Sequence, residues 1–182
     1  MSFIIRGVTR DDLQPLYDLA RQVTLLNLPA DRRIIETKIE RSLASFKGEL
    51  GRNEAEYLFV AVDTENDEIA GSSLVMAKNG TPTSPNFSFK ILKKERFSRD
   101  LGVGFIHQIL RLRSNTDGPT EVGGLVVEKA YRRRPEKVGR LISLTRFVYI
   151  GMNQKMFEDN LHAEMAPPLT EEGRSEFWEA LG

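Results

Sequence analysis

Glu121-Val122-Gly123-Gly124-Leu125-Val126-Val127, followed closely by Tyr131-Arg132-Arg133-Arg134-Pro135-Glu136-Lys137-Val138-Gly139-Arg140, is the stretch on which the reading of this chain turns. Its first part is a β-branched run with two glycines. Such a run makes a buried strand, and the glycines permit a bulge or the close approach of another backbone. Its second part sets four arginines and a lysine around a predicted helix start. The N–H groups of a first helical turn lack partners within the helix, and with the positive end of the helix dipole they bind phosphate oxygens. A solvated basic loop before a helix is the other reading, and the segment alone leaves both open.

Working outward, a helical pattern runs from about residue 137 to 159, with Val138, Leu141, Ile142, Thr145, Val148 and Met152 as its core-facing stripe. Residues 161–165 form a strand candidate stopped by Pro167-Pro168, and Thr170-Glu171-Glu172 is a helix start ahead of residues 175–181. Upstream, residues 3–8 read as a first strand. Thr9-Arg10-Asp11-Asp12 caps an amphipathic helix with Leu13, Leu16, Tyr17, Ala20 and Val23 at helical spacing. Residues 25–30, with Asn27 and Pro29, break it. A second helix starts near Asp31 and carries the stripe Ile35, Ile39, Leu43, Phe46 and Leu50. Residues 56–63 and 68–77 form a hairpin across Thr64-Glu65-Asn66-Asp67. Residues 87–92 are another strand after a loop with Gly80, Pro82 and Pro85. Residues 105–112 fit strand or helix. Strand is preferred, paired with residues 120–128 across Ser114-Asn115-Thr116-Asp117-Gly118-Pro119. The order predicts an α+β, or mixed α/β, layer around one dominant sheet.

The length of 182 residues predicts a single domain over residues 1–182. Twenty-six Lys and Arg balance twenty-six Asp and Glu, so no global field draws the chain to nucleic acid or an anionic membrane, and small-molecule partners are expected. Cysteine is absent, which excludes disulfides and thiolate metal sites and agrees with a cytoplasmic location. The two histidines, His107 and His162, stand at no metal-ligand spacing, so no metal is expected. No apolar run approaches the roughly 18 residues of a spanning helix.

An acyl-CoA-dependent N-acyltransferase must hold a pyrophosphate, thread an extended pantetheine arm and present a thioester carbonyl to an amine. A bulged strand, a loop and a helix N-terminus can do all three. The strand, the Tyr131-Arg132 pair and the loop Arg134-Pro135-Glu136-Lys137-Val138-Gly139 resemble the R-x-x-G-x-G acetyl-CoA signature of the GNAT superfamily. Lys137 replaces the first glycine of that pattern, and two residues are inserted after Tyr131-Arg132. The resemblance implies a mostly antiparallel central sheet flanked by helices. It also implies coenzyme A as co-substrate, held by Leu125, Val127, Arg134, Lys137, Val138, Gly139 and Arg140.

A longer resemblance links nearly the whole chain to the bacterial arginine N-succinyltransferases. It is carried by Ile5-Arg6-Gly7-Val8 with Asp11-Asp12-Leu13, Leu26-Asn27-Leu28-Pro29-Ala30, Lys38-Ile39-Glu40-Arg41-Ser42, Tyr57-Leu58-Phe59-Val60, Glu121-Val122-Gly123-Gly124-Leu125, Gly139-Arg140-Leu141-Ile142-Ser143 with Arg146-Phe147, Ala163-Glu164-Met165 and Glu176-Phe177-Trp178. The resemblance implies transfer of succinyl from succinyl-CoA to the α-amine of L-arginine in arginine catabolism, with Leu125 at the family's succinyl-CoA contact. It also implies a homo- or hetero-oligomer with a related subunit. The family's proposed catalytic histidine falls beyond Gly182, so the chain is expected to be the N-terminal part of a longer enzyme. Its own catalytic residue is then unassigned. His162 and Glu164, on one face of a strand by alternation, are the remaining candidates for a general base. Glu121 is a further candidate to orient a cationic group, against the ordinary reading of a strand-edge glutamate that faces solvent. Ser143 reads as a helix-surface hydroxyl, and Phe177 and Trp178 as core or interface anchors. Two alternatives stand beside the enzyme: a non-catalytic acyl-CoA-binding or assembly half, and a GNAT enzyme for another amine.

Overall fold

The structure is a computed structural model that describes residues 2–23, 28–165, 167, 169–170 and 174–181. Segments 25–30 and 170–172 of the sequence reading, and Pro168, fall wholly or partly outside these residues. A five-stranded sheet, in the order β1-β2-β3-β6-β7, forms the centre. Its strands are β1 (Phe3–Gly7), β2 (Glu56–Asp63), β3 (Glu68–Met76), β6 (Thr120–Val127) and β7 (Leu161–His162). All neighbours are antiparallel except β6 and β7, which run parallel. Helices α1 (Leu13–Ala20) and α2 (Arg32–Phe46) cover one face, and α3 (Val138–Met152) covers the other. This is the α+β architecture expected from the element order.

Alternation on β2 builds both layers. Leu58, Val60 and Val62 point toward α1 and α2, where they meet Leu16, Ile35, Ile39 and Leu74. Tyr57, Phe59 and Ala61 point the other way into the clusters under α3. Every residue of β2 is buried, and from Tyr57 to Val62 the strand is apolar on both faces. A fully buried Leu or Ile contributes about 1.5–3 kcal/mol, and such side chains supply most of the stability of the sandwich.

The helix starts follow their capping residues. The Thr9 N–H donates to the Asp12 carboxylate at 2.7 Å, closing a box ahead of α1. Burial acts to raise the Asp12 carboxyl, but the bidentate Arg6 guanidinium and the Thr9 N–H outweigh it and hold the group below its usual range. Asp31 accepts from the N–H groups of Arg33 and Ile34 at the start of α2. Further along α2, the Ser42 and Ser45 hydroxyls accept from the Leu58 and Glu56 N–H groups, fastening the helix to the start of β2.

Several expectations are corrected. Residues 105–112 do lie in a strand, β5 (Val103–Asn115), but it pairs with β4 (Asn86–Ser98) and not with residues 120–128. The two strands make a separate ribbon, in register from Asn86↔Asn115 to Ser98↔Val103. The ribbon is an insertion in the connection between β3 and β6. The Asn79 N–H donates to the Pro119 carbonyl, the Gly118 N–H to the Gly80 carbonyl, and the Thr120 hydroxyl to the Ala77 carbonyl. These bonds close the base of the ribbon, so β6 returns beside β3 with Met76 opposite Glu121.

The second correction concerns α3, which ends at Met152 rather than near residue 159, and whose buried face differs from the expected stripe. Val138 and Ile142 are buried, but Leu141, Val148 and Met152 are exposed, and Arg146 takes the third inward position. Apolar residues nearly encircle this helix, so periodicity did not single out one side. The strand expected at 161–165 is confined to Leu161–His162, the helix at 175–181 to Glu176–Leu181. Phe177 and Trp178 pack on Phe89 of the ribbon, with centroids 5.9 and 6.1 Å away.

Candidate active site

The site is built from the last turns of β6, the loop behind it and the first turn of α3. The β3–β6 ladder slips between Ser72 and Leu74, with Ser72 opposite Val126 and Leu74 opposite Gly123. One residue of β3 therefore faces two of β6, Gly124 and Leu125, which is the count of a β-bulge. Gly124 has φ +56°, and a Cβ built on it would lie 2.8 Å from the Leu74 Cβ, so the bulge requires glycine here on both counts. The Ser72 hydroxyl donates to the Gly124 carbonyl at 3.1 Å and braces the turn. Leu125 sits on the bulge, partly exposed.

The parallel pairing of β6 with β7 is confined to Thr120↔Leu161 and Glu121↔His162, where β7 ends. The bulge lies on the part of β6 beyond this pairing. The chain then makes a 3-10 turn at Lys129–Tyr131 and reaches α3. Arg132 Nε donates to the Val127 carbonyl and Arg134 Nε to the Ala130 carbonyl, each at 2.7 Å. The Arg134 guanidinium also stacks 4.6 Å above the Tyr131 ring. Arg133 and Lys137 take left-handed backbone conformations, φ +61° and +52°.

Lys137 is the N-cap of α3 and occupies the position where the GNAT-like pattern carries glycine. A lysine held there costs about 1–2 kcal/mol relative to a right-handed conformation, and the loop keeps the turn regardless. The Arg140 N–H donates back to the Lys137 carbonyl at 2.8 Å. Among the described residues, no backbone or side-chain acceptor meets the N–H groups of Val138 and Gly139, as expected of a first helical turn. Val138 itself is buried against Tyr131 and Ile142. Arg140 is exposed. Glu136 turns one carboxylate oxygen inward, where it meets no hydrogen-bond partner among the described residues, and its charge opposes an anion at this loop.

Leu125, Val127, Arg134, Lys137, Val138, Gly139 and Arg140 thus occupy one continuous strand, turn and helix start. Val127 and Gly139 approach closely: a Cβ on Gly139 would lie 3.2 Å from Val127 Cγ2. His162 Nε2 stands 3.4 Å from Glu164 Oε1, and both are partly exposed. Glu121 is buried and bonded by the Asn79 side-chain amide, so its solvent-facing reading is overturned. The Ser143 hydroxyl is likewise engaged, accepting from Arg146 Nη2 at 2.8 Å. Sequence reasoning quoted Arg146 in the family resemblance but gave it no role at the site. The available signal was a cation in the middle of an otherwise apolar helical run, at i+4 from Ile142.

No group of three or more His, Cys, Asp or Glu able to hold a metal ion occurs among the described residues, nor is any helix among them long and apolar enough to cross a membrane.

Comparison with known proteins gives the site its setting. Arginine N-succinyltransferases of Citrobacter koseri and Escherichia coli are 31% and 30% identical over 181 residues, covering 98% of this chain and 52% of theirs. The chain therefore spans about half the length of these relatives. The structure of arginine/ornithine succinyltransferase subunit AI from Pseudomonas aeruginosa superposes with a TM-score of 0.87 at 26% identity, covering 98% of this chain and 54% of that one. Glucosamine-6-phosphate N-acetyltransferase from Arabidopsis thaliana, 15% identical with a TM-score of 0.50, covering 99% of this chain and 90% of its own, shares the fold alone. The family described as Arginine N-succinyltransferase beta subunit matches residues 3–182, and the chain belongs to that family.

Proposed function

We propose that this chain supplies the acyl-CoA-binding part of an arginine N-succinyltransferase, which transfers succinyl from succinyl-CoA to the α-amine of L-arginine. The observation that carries the reading is the bulge at Gly124 and Leu125 followed by the α3 N-terminus, one cradle for thioester and pyrophosphate. In the reaction the amine lone pair attacks the thioester carbon, the C–N bond forms, the C–S bond breaks, and the CoA sulfur leaves as thiolate. The Leu125 N–H stabilises the oxyanion that develops on the carbonyl oxygen. The N–H groups of Val138 and Gly139, with Arg140, hold the pyrophosphate. His162 beside Glu164 is the candidate within this chain to take the amine proton. Because the chain spans half of its relatives, the second reading is an acyl-CoA-binding half that turns over only with further protein.

Calorimetry on the 182-residue chain is expected to show CoA binding that weakens at least tenfold in Gly139→Val, where the β-branched side chain meets Val127 and crowds the first-turn N–H groups. An unchanged affinity would remove the loop from the proposal. Release of free CoA from succinyl-CoA that depends on arginine supports the full reaction. Equal release with other amines points to a different acceptor, and binding without release points to the second reading.

Association with a second subunit, identical or related, is proposed on the ribbon. Residues 86–115 hold seven Lys or Arg against two Asp or Glu, a net +5, which leaves −5 on the remainder of a chain whose totals are 26 and 26. One face of the ribbon carries Phe87, Ile91, Phe97, Ile106 and Leu112, all exposed. A two-stranded ribbon with such a face is marginal alone and gains stability by being covered. Sedimentation equilibrium is expected to show a dimer that Ile91→Glu with Leu110→Glu dissociates, and a strictly monomeric wild type would refute self-association.

A further inference from the structure

Arg146 is buried in the middle of α3, yet among the described residues no carboxylate lies within ion-pair distance of it. Its guanidinium is held instead by neutral oxygens: Nε donates to the Ser143 carbonyl at 3.2 Å, Nη2 to the Ser143 hydroxyl at 2.8 Å, and Nη1 to the Gly123 carbonyl at 3.4 Å. It also lies 5.7 Å from the Phe147 ring centroid. A guanidinium has five N–H donors, so these bonds leave two for another acceptor. Burying a cation without a counter-charge is costly, because carbonyl dipoles replace hydration only in part. Burial accordingly pulls the guanidinium pKa down from its ordinary value. A fold that retains so costly a group beside its cofactor strand has a use for an anion there.

The position identifies the anion. Gly123 precedes the bulge and is two residues from Leu125, so the guanidinium reaches β6 within roughly 7 Å of the Leu125 N–H along the strand. In an extended succinyl thioester the terminal carboxyl carbon lies about 4 Å from the thioester carbon, a three-bond span. With a hydrogen bond of roughly 3 Å at each end, a succinyl group seated at Leu125 brings its carboxylate to Arg146. We infer that Arg146 is the receptor for the free carboxylate of the acyl group and selects succinyl-CoA over neutral acyl-CoAs. Ser143 and the Gly123 carbonyl aim the guanidinium, and the carboxylate takes its remaining donors in a charge-assisted pair. This inference rests on the assignment of the β6–α3 cradle to acyl-CoA.

The test measures calorimetric affinities of CoA, acetyl-CoA and succinyl-CoA for the full chain and for Arg146→Met, with the ratio of succinyl-CoA to acetyl-CoA affinity as readout. The wild type is expected to prefer succinyl-CoA at least tenfold, and Arg146→Met to bring the ratio near one. A purely structural arginine would leave the ratio intact while lowering all three affinities together, and that result, or a wild type without preference, overturns the inference. Should circular dichroism show Arg146→Met unfolded, Ser143→Ala, which frees Nη2 without removing the charge, is expected to reduce the ratio by at least threefold, and an unchanged ratio counts against the receptor. If the wild type binds none of the three compounds, the cradle assignment falls and the inference with it. If CoA binds and the ratio does not respond, only the inference falls.

Discussion

Gly124→Val is expected to be among the most destabilising single substitutions in the sheet and to abolish CoA binding together with stability. Two costs combine. A β-branched residue forced to φ +56° stores about 1–3 kcal/mol of backbone strain, and its Cβ, 2.8 Å from the Leu74 Cβ, adds overpacking of about 1–3 kcal/mol. Leu74 is fully buried between the layers and cannot swing away. Gly48 separates the two terms, since it has φ +76° but nothing within 4 Å of an added Cβ. Gly48→Ala should show backbone strain only, about 1–2 kcal/mol. Urea unfolding of both variants checks the comparison. Equal losses would mean that the bulge yields to a side chain and that its geometry is not held by the Leu74 contact.

Tyr57→Ala is expected to cost about 3–5 kcal/mol, the range for a large aromatic truncated in a core, because three rings lose a shared neighbour. Tyr57 is buried on the α3 face of β2, with Phe46, Tyr149 and Phe157 at centroid distances of 5.2, 4.9 and 5.5 Å. These contacts tie the C-terminal half of α3 and the end of α2 to the sheet. Tyr57→Phe keeps the ring and removes only the hydroxyl paired with Tyr149, so it should cost about 1 kcal/mol. A similar loss for the two variants would assign the stability to the hydroxyl pair instead. Burial, then the neighbouring Tyr57, pushes the Tyr149 phenol up to about 12. The folded state therefore keeps a proton that the unfolded chain, titrating near 10, releases first. Stability contributed by the neutral phenol is complete below pH about 10 and declines as pH rises toward 12. Unfolding free energies measured between pH 9 and 12 should fall less steeply in Tyr149→Phe than in wild type.

The parts of the fold visible in the residues are those governed by local rules. Asp31 caps α2 where its side chain suits no helix interior, and Ile35 and Ile39 mark the buried side because the opposite face is charged. Thr64-Glu65-Asn66-Asp67 turns β2 into β3, and Asp67 takes the left-handed conformation its short polar side chain tolerates. Even the bulge was legible, as two glycines in a β-branched run have few other uses. The partner of β5 was not. Residues 103–115 meet 86–98 in one arrangement and 120–127 in another with comparable local propensity, and the choice rests on bonds at the ribbon base between residues about forty apart.

The same division runs through the candidate site. By itself the sequence determined the strand, the basic loop, the helix start and the glycines, since backbone conformation and the unpaired groups of a first turn depend on nearby residues. Only the tertiary structure decided that Arg146, and not Val148 or Met152, turns inward, that Ser143 and the Gly123 carbonyl hold it, and that Glu121 is buried. An apolar helix has no preferred side until a sheet is laid against it. Which cation ends up without a counter-charge is settled by where two elements, Gly123 on one and Arg146 on the other, are brought together.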